Sequence, residues 1–358
     1  MSSRRGFICG GCWTIDRIKM IDCWPQQEAL AVITETDRQG GGSAHNLGID
    51  MRRLDGSVPV DAIGLVGEDS DGDFLLQTAI EHGVNVDQLH RTTDAETSYT
   101  DVMADENTGK RTFFHHQGSN SLLTPDHFNF AQTRCKVLHL GLLGVHQILD
   151  SIWGAETNGW VSVLKQAKAA GLQTNIELVS IDATRIRQLC LPCLPWLDTL
   201  IVNDYEIGAL ADIETIEGTE RSEGSAAGGE AIVHSGSAIP IQCINAARKV
   251  LALGSMSLVV VHYPQGAICV CRDGQVFETS SVRVDSSHIV STVGAGDAFA
   301  AGMLYGLHER WSIEASLHLA HAVAAASLRS RTTVGSVESV DRCLALAAAR
   351  GSSRLTTQ

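Results

Sequence analysis

The sequence predicts an α/β protein with a three-layer, doubly wound, mainly parallel sheet, helices on both of its faces, and a small additional β-sheet. Short β-rich apolar runs alternate with helical patterns over most of the chain, which is typical of strands joined by crossover helices. The chain has 358 residues and 44% hydrophobic content, enough to bury a large core. We therefore expect residues 1–358 to form one domain, with ligands at the carboxyl ends of its strands.

The strands of the main sheet are predicted from short apolar runs. These runs are Phe7 to Gly11, Val60 to Leu65, Val137 to Leu140, Gln173 to Leu178, Thr199 to Asn203, Leu258 to His262, Ala267 to Cys271 and Ser281 to Ile289. The helices are predicted from apolar residues spaced three and four apart. They are Ala44 to Leu54, Asp73 to His82, Trp160 to Ala170, Ile241 to Leu253, Ala298 to His308 and Ile313 to Ser330.

Three short β-rich runs interrupt this alternation. They are Ala29 to Glu35, Ser98 to Ala104 and Arg111 to His116. The turn residues Asn107-Thr108-Gly109 join the last two runs. We predict that residues 29–36 and 97–117 form a small β-sheet lid that closes over a substrate and excludes water. Because an open sheet face tends to be covered, we also expect a homodimer formed through the lid.

Residues 214–237 differ in composition from the rest of the chain, being rich in Gly, Ser, Ala and Glu and poor in large apolar residues. Such a segment buries too little apolar surface to hold a fixed structure. We predict a flexible surface insertion here, with a partner-binding loop as the functional alternative.

The charge and hydropathy of the chain exclude two kinds of partner. The formal net charge of −14 argues against nucleic acid, which needs a basic surface. No apolar run approaches the ~18 residues of a membrane span, and the apolar stretch after Arg4 and Arg5 is too short for a secretory signal. We therefore expect a cytoplasmic protein.

Two cysteine pairs have the spacing of metal ligands, namely Cys9 with Cys12 and Cys190 with Cys193. The pairs lie far apart in the sequence, unlike those of a compact zinc module. A zinc site or a redox pair stays open, but small core residues in a reducing compartment are the favoured interpretation.

The segment Ser291-Thr292-Val293-Gly294-Ala295-Gly296-Asp297-Ala298-Phe299 carries the strongest chemical signal. Gly294 and Gly296 let the backbone turn tightly and present consecutive N–H groups at the start of a helix, where an anion is favoured. Asp297 lies in the first turn, facing that anion. A carboxylate there is costly unless it takes a proton from a hydroxyl, although a helix-capping role is the simpler alternative.

A second glycine cluster, Gly40-Gly41-Gly42-Ser43-Ala44-His45-Asn46-Leu47-Gly48, precedes the first predicted helix. Two further runs follow in order, Ile63 to Gly72 and Asn203-Asp204-Tyr205-Glu206. Together with the segment around Asp297, these motifs resemble the signatures of the ribokinase-like PfkB carbohydrate kinase family over about Ile8 to Ala348. The resemblance implies a ribokinase-like fold with a β-sheet lid and transfer of the γ-phosphoryl group of ATP to an alcohol.

On the nucleotide side, the resemblance implies that Asp297 is the general base and that the N–H groups of Gly294, Ala295 and Gly296 form an anion hole. It implies that Glu206, and more loosely Asn203, hold Mg²⁺ through its water shell. The remaining candidates near ATP are Thr292, Gly266 and His321. For Gly266 a turn between strands, and for His321 helix packing, are the structural alternatives.

On the acceptor side, the resemblance implies that Asp16, Gly41, Gly42 and Asn46 line the pocket, with a plain loop residue as the alternative for Asp16. Alternate residues of a strand share a face, so Arg111, Phe113 and His115 lie on one side of the lid. Arg111 is a candidate contact for a sugar acid carboxylate, with an exposed lid arginine as the alternative.

One residue departs from the family pattern. Ser291 stands where the family usually has an aspartate that helps to hold a monovalent cation. Serine lacks that charge, so potassium stays open as a cofactor.

The acceptor is predicted to be an unphosphorylated sugar or sugar derivative, because residues 40–46 contain no Lys or Arg for a phosphate. A nucleoside stacked on Phe113, Phe114 or Trp13 is the alternative within the family. A catalytically silent sugar-binding regulator is the alternative of another class. A nicotinamide dehydrogenase is disfavoured, because Gly10-Gly11 lacks the required glycine spacing.

Overall fold

The computed structural model describes residues 4–215 and 241–349. The predicted insertion at residues 214–237 therefore lies outside the described residues except for its first two positions. The observed architecture confirms the predicted α/β class. In the described ranges, no helix has the length and apolarity that a membrane crossing would need.

The main sheet consists of two hydrogen-bonded groups of strands that lie side by side at β9 and β10. The first group is parallel, in the order β5-β4-β1-β8-β9. The second has the order β10-β11-β12-β13 and is antiparallel except for its first pair. The bounds are β1 Phe7–Gly11, β4 Val60–Gly67, β5 Asn85–Thr92, β8 Val137–Leu143, β9 Gln173–Leu178, β10 Thr199–Asn203, β11 Leu258–Tyr263, β12 Gly266–Cys271 and β13 Val276–Ser280.

Nine described helices cover the two faces of this sheet, and each face has its own apolar core. One face carries α3 Gly159–Ala169, α4 Ala183–Cys190, α5 Asp204–Ala211 and α6 Ile241–Leu253. The other carries α1 Ser43–Leu54, α2 Ser70–Glu81, α7 Ala295–His308, α8 Ile313–Ser327 and α9 Val340–Ala349. Polar side chains cap several N-termini, as Asp69 does by accepting from two amides of α2.

The lid is a four-stranded sheet with the order β3-β2-β6-β7. Its strands are β2 Thr14–Ile21, β3 Ile33–Gly41, β6 Tyr99–Asp105 and β7 Arg111–His116. The sequence missed β2, whose residues alternate only partly between apolar and charged. The lid strand predicted at Ala29 to Glu35 begins later and runs on into the glycine cluster, because Gly40 and Gly41 pair with Ile15 and Thr14.

One other prediction of local structure needs correction. The run Ser281 to Ile289 contains no strand; it is irregular with one 3-10 turn, because the last strand of the sheet is β13, just before it. Asp16 lies within β2, so the alternative of a plain loop residue is wrong. The Cys190–Cys193 stretch is the end of α4 and a following 3-10 turn, and both cysteines are buried.

Candidate active site

Asp297 lies in the first turn of α7, directly after the glycine turn that begins this helix. Gly294 is the N-cap with φ +82°, a left-handed conformation that glycine adopts without strain. No side chain caps this helix, although the amide of Ala295 reaches the carbonyl of Thr292 at 3.3 Å. Burial and the negative charge of Glu177 raise the pKa of Asp297 well above its usual range.

Asn46, on α1, joins the first glycine motif to this carboxyl group. Its Nδ2 donates to Asp297 Oδ2 at 2.7 Å. Its Oδ1 accepts from Thr333 Oγ1 at 2.9 Å, which fixes the amide so that its nitrogen faces Asp297. The same hydroxyl lies 3.2 Å from the carbonyl oxygen of Gly40, the longer of its two contacts with acceptors. The sequence pointed to Asn46 but not to Thr333, which has no local motif around it.

Two polar residues of the central strands complete the sheet side of the site, and sequence reasoning missed both. Glu177, near the end of β9, lies close enough to Asp297 to raise the pKa of that carboxyl group. His139 of β8 is fully buried, and its Nε2 lies 3.1 Å from Glu177 Oε2. The sequence does contain a sign of both residues. Parallel strands that are covered on both faces are normally apolar throughout, so a polar residue inside such a strand indicates a functional site.

Asp16 lies on the face of the lid that looks toward Asp297. It pairs across β6 with Thr100, which pairs in turn with His115 of β7. A Cβ added to Gly41 would lie 2.5 Å from Asp16 Oδ2, so only glycine leaves room for this carboxylate. Burial and the charge of Asp297 raise the pKa of Asp16 to about 7, and Arg111 partly offsets the rise.

Arg111 reaches from the lid to the loop before α7. Its Nη1 donates to Ser291 Oγ at 2.9 Å. The same hydroxyl accepts from the amide of Val293 at 3.2 Å. The guanidinium is half-buried, and its charge acts on Asp16. Arg111 therefore bridges the acceptor side and the glycine turn, which the sequence did not predict.

Asn203 and Glu206 form a capping box at the N-terminus of α5. Glu206 Oε2 accepts from the amide of Asn203 at 3.1 Å, and Oε1 accepts from Ser180 Oγ at 2.9 Å. The Glu206 carboxylate is buried, and its charge contributes to raising the pKa of Glu177 to about 7. Glu206 therefore caps α5 and, at the same time, acts on a carboxylate of the site.

The other nucleotide-side candidates lie in different surroundings. Thr292 is exposed in the loop before α7. His321 is buried, bonds to Thr279 Oγ1 at 3.1 Å and packs edge-on against Phe299, as a helix-packing histidine does. Gly266 begins β12, and a Cβ there would meet the carbonyl of Thr279, so its role in the hairpin explains the glycine.

A doubly wound sheet with a β-sheet lid and a carboxylate at a glycine-rich helix terminus defines the ribokinase-like class of α/β proteins. The structure of Arabidopsis thaliana ribokinase complexed with ribose and ATP superposes with a TM-score of 0.74 at 19% identity, covering 96% of this chain and 99% of that one. The nucleoside kinase of Methanocaldococcus jannaschii gives a TM-score of 0.72 at 15% identity, covering 98% and 100%. At these identities the likeness shows the fold.

The family model of the pfkB family carbohydrate kinases matches residues 14–340. The chain belongs to this family, which confirms the resemblance drawn from the motifs. The probable chloroplastic fructokinase-6 of Arabidopsis thaliana is 28% identical over 268 residues, 74% of this chain. The chain spans 61% of the length of that relative.

Proposed function

We propose that the protein transfers the γ-phosphoryl group of ATP to a hydroxyl, most simply a primary alcohol, of an unphosphorylated sugar or sugar derivative. The observation that carries this proposal is the 2.7 Å bond between Asn46 Nδ2 and Asp297 Oδ2. It unites the two glycine motifs at one helix terminus, with Asp16 of the lid nearby. A proton acceptor, an anion-binding turn and a polar acceptor pocket therefore meet in one place.

Phosphoryl transfer depends mainly on positioning and on charge stabilisation. Asp297 would accept the proton of the acceptor hydroxyl as its oxygen attacks phosphorus. The backbone amides of the Gly294–Gly296 turn would stabilise charge on the phosphoryl oxygens, helped by the N-terminal end of α7. Asn46 holds the carboxylate so that it stays aimed at the acceptor.

The residues present fit a magnesium ion on the nucleotide side. Asp297, Glu177 and Glu206 are buried acidic groups; besides burial, Glu177 raises the pKa of Asp297, and the charge of Glu206 raises the pKa of Glu177. A bound Mg²⁺ would offset this charge together with that of the phosphates. Glu206, with Asn203 behind it, would hold the ion through water, since the described residues offer no group of three or more His, Cys, Asp or Glu side chains able to hold a metal directly.

A sugar fits the acceptor side better than a nucleoside. Trp13 is fully buried and packs edge-on against His45, so it offers no face to a base. Ser43 Oγ and Asn120 Oδ1 are buried without a hydrogen-bond partner among the described residues, and a polyhydroxylated ligand would supply partners. Arg38, the cation nearest the first motif, is paired with Asp71 at 2.9 Å rather than available to a phosphate.

Three further features follow from the same proposal. The contact of Arg111 with Ser291 places a positive charge beside that serine, which supports activity without potassium.

The lid exposes Phe114 and Ile33, which supports a homodimer formed through the lid. All ten cysteines are free thiols, which supports a reducing, cytoplasmic location.

An ADP-release assay with magnesium-ATP against ketohexoses, pentoses, sugar acids, phosphorylated sugars and nucleosides tests the proposal. We expect turnover of one unphosphorylated sugar class and a loss of ~10²–10⁴-fold in Asp297→Asn. Asp273→Asn, on an exposed turn, is the matched control and should keep wild-type activity. Turnover of nucleosides alone would favour a nucleoside kinase of the same family. Thermal stabilisation by a sugar without any ADP release would favour the silent regulator.

A further inference from the structure

His262 lies at the carboxyl end of β11, where an apolar strand ends in a polar side chain beside α7. Val260 and His262 share the strand face that packs against α7, whereas Val259 and Val261 belong to the core on the other face. Ligands of doubly wound sheets bind at the carboxyl ends of the strands. The sequence placed this histidine only at the end of a predicted strand, and its surroundings indicate more.

The imidazole edge of His262 borders the space that a side chain at Gly296 would occupy. A Cβ added to Gly296 would lie 3.6 Å from His262 Cε1 and 3.9 Å from its Nε2. Among the described residues, these are the nearest atoms from outside α7. Because the Cα–Cβ bonds of a helix tilt toward its N-terminus, the edge of the ring lies at the end of α7 whose amides have no partner within the helix.

Phe299 holds the ring of His262 in place. It follows Gly296 by three positions, so both lie on one face of α7, and its ring centroid lies 5.0 Å from that of His262 at an interplanar angle of 36°. Phe299 also contacts His321, whose Nε2 is already bonded to Thr279 Oγ1 at 3.1 Å. His262 is only partly buried and forms no hydrogen bond with a described residue. A polar group fixed in this way has its hydrogen bonds left for a ligand.

His262 also lies between the two parts of the proposed nucleotide site. Its Cα pairs with that of Asn203 across β10 and β11, and Asn203 begins the helix that carries Glu206. Its ring borders Gly296 on the other side. A chain of phosphates that reached from the magnesium side to the glycine turn of α7 would therefore pass the imidazole.

The chemistry of imidazole suits a phosphate neighbour. Desolvation by its surroundings lowers the pKa of His262 to about 4, so the ring is neutral and has one N–H donor. Phosphate oxygens only accept hydrogen bonds, and a bond from N–H to a charged oxygen is stronger than one between neutral groups. A neutral donor also does not repel a magnesium ion bound to the same phosphates. The protonated ring would donate as well, so the contact does not depend on titration of the histidine.

We propose that His262 is a nucleotide-contact residue, whose ring N–H donates to an oxygen of the terminal phosphoryl groups of ATP at the Gly294–Gly296 turn. This inference rests on the proposed kinase activity. No bond to His262 forms or breaks during the reaction. The histidine adds a side-chain donor to the backbone amides of the turn, and Phe299 keeps that donor in position before the nucleotide arrives.

Calorimetric titration with magnesium-ATP and with AMP, which lacks the two terminal phosphoryl groups, tests this contact. His262→Phe keeps an aromatic ring against Phe299 but has no donor. We expect its Kd for ATP to rise about tenfold or more and its Kd for AMP to stay within about twofold of the wild type. His262→Gln retains an amide donor and should recover most of the ATP affinity. His318→Gln, at an exposed position of α8, is the matched control and should bind both nucleotides as the wild type does.

Unchanged ATP affinity in His262→Phe would overturn the inference, and so would an equal loss for ATP and AMP, because the ring would then act through packing. Thermal unfolding checks that each variant folds. If His262→Phe does not fold, ¹⁵N spectra of the wild type decide. The ring nitrogens of His262, assigned from His262→Gln, should shift when magnesium-ATP is added, and unchanged signals would refute the contact.

The same measurements separate this inference from the proposed function. If the wild type phosphorylates a sugar and His262→Phe binds ATP equally well, the proposed function stands and the inference fails. If His262→Phe loses ATP affinity but the wild type phosphorylates no acceptor, the contact stands and the proposed function fails. A wild type that binds no ATP would refute both.

Discussion

Asn46 Nδ2 donates to Asp297 Oδ2 at 2.7 Å, although 251 positions separate the two residues in the chain. The bond crosses between the first helix of the fold, α1, and α7. It brings the acceptor motif and the base motif into contact. The Asp297 carboxylate therefore has a fixed donor that orients it within the site.

We expect Asn46→Ala to lower kcat ~10–100-fold while leaving magnesium-ATP binding intact, because the base loses the donor that orients it. Asn46→Asp should lower kcat further, since a second carboxylate would repel Asp297 and raise its pKa. Steady-state kinetics and nucleotide titrations check both. Asn85→Ala, on an exposed strand with its own aspartate partner, is the control. Wild-type kcat in Asn46→Ala would contradict the expected role.

The pKa of Asp16, raised to about 7, predicts that acceptor affinity depends on pH. The ionised carboxylate accepts hydrogen bonds from sugar hydroxyls, so the acceptor Kd should rise ~tenfold per pH unit below about 7. Asp16→Asn should bind more weakly and without this dependence. Calorimetric titration between pH 5 and pH 8 makes the comparison, and a flat wild-type profile would contradict it.

The raised pKa of Asp16 also predicts how the free energy of unfolding changes with pH. The folded state binds the Asp16 proton more tightly than the unfolded state, whose pKa is near 3.8. Stability from this group is therefore lost as pH rises from about 4 to about 7, by at most about 4 kcal/mol. Asp16→Asn should unfold at a higher temperature than the wild type at pH 8 and show no gain at pH 4. Asp273→Asn serves as the exposed control.

Arg111→Ala is expected to raise the acceptor KM about tenfold with a smaller effect on kcat. The change removes the lid contact with Ser291 and exposes Asp16 to the charge of Asp297 without compensation. Arg38→Ala is the matched control, because this lid arginine pairs with Asp71 instead. Equal effects of the two substitutions on KM would show that Arg111 acts only on lid stability.

Replacing KCl with NaCl should leave kcat unchanged within about twofold, because the guanidinium of Arg111 lies against Ser291 and disfavours a second cation there. The double variant Arg111→Ala, Ser291→Asp removes this charge and adds a carboxylate, so it should respond to potassium. Assays at constant ionic strength test both proteins. A strong potassium requirement in the wild type would contradict this expectation.

Phe114→Asp should convert a lid-mediated dimer into a monomer, because it places a charge on an exposed apolar position of β7. Light scattering after size exclusion at micromolar concentration gives the mass. Ile152→Asp changes an even more exposed apolar residue outside the lid and should leave the mass unchanged. A wild-type monomer would rule out the predicted assembly.

Most strands and helices of the main sheet were predicted within a few residues, because apolar runs and helical periodicity are local properties. Gln173–Leu178 and Ile241–Leu253 have the predicted bounds. The lid was harder to predict. Strand β2 mixes charged and apolar residues, since its two faces meet a polar site and a set of ion pairs rather than one core. The prediction of one domain over residues 1–358 stays a prediction.

The glycine motifs by themselves determined the family and pointed to Asp297 and Asn46 as site residues. Tight turns that require glycine can be recognised in the sequence, because the requirement is local. Tertiary structure alone decided that Thr333 contacts the Asn46 amide, that Arg111 meets Ser291 and that Glu177 acts on the pKa of Asp297. Crossover connections bring these groups together from distant parts of the chain, and no local interaction encodes such contacts. Their energies depend on burial and on neighbouring charges, which exist only once the sheet and its helices have packed.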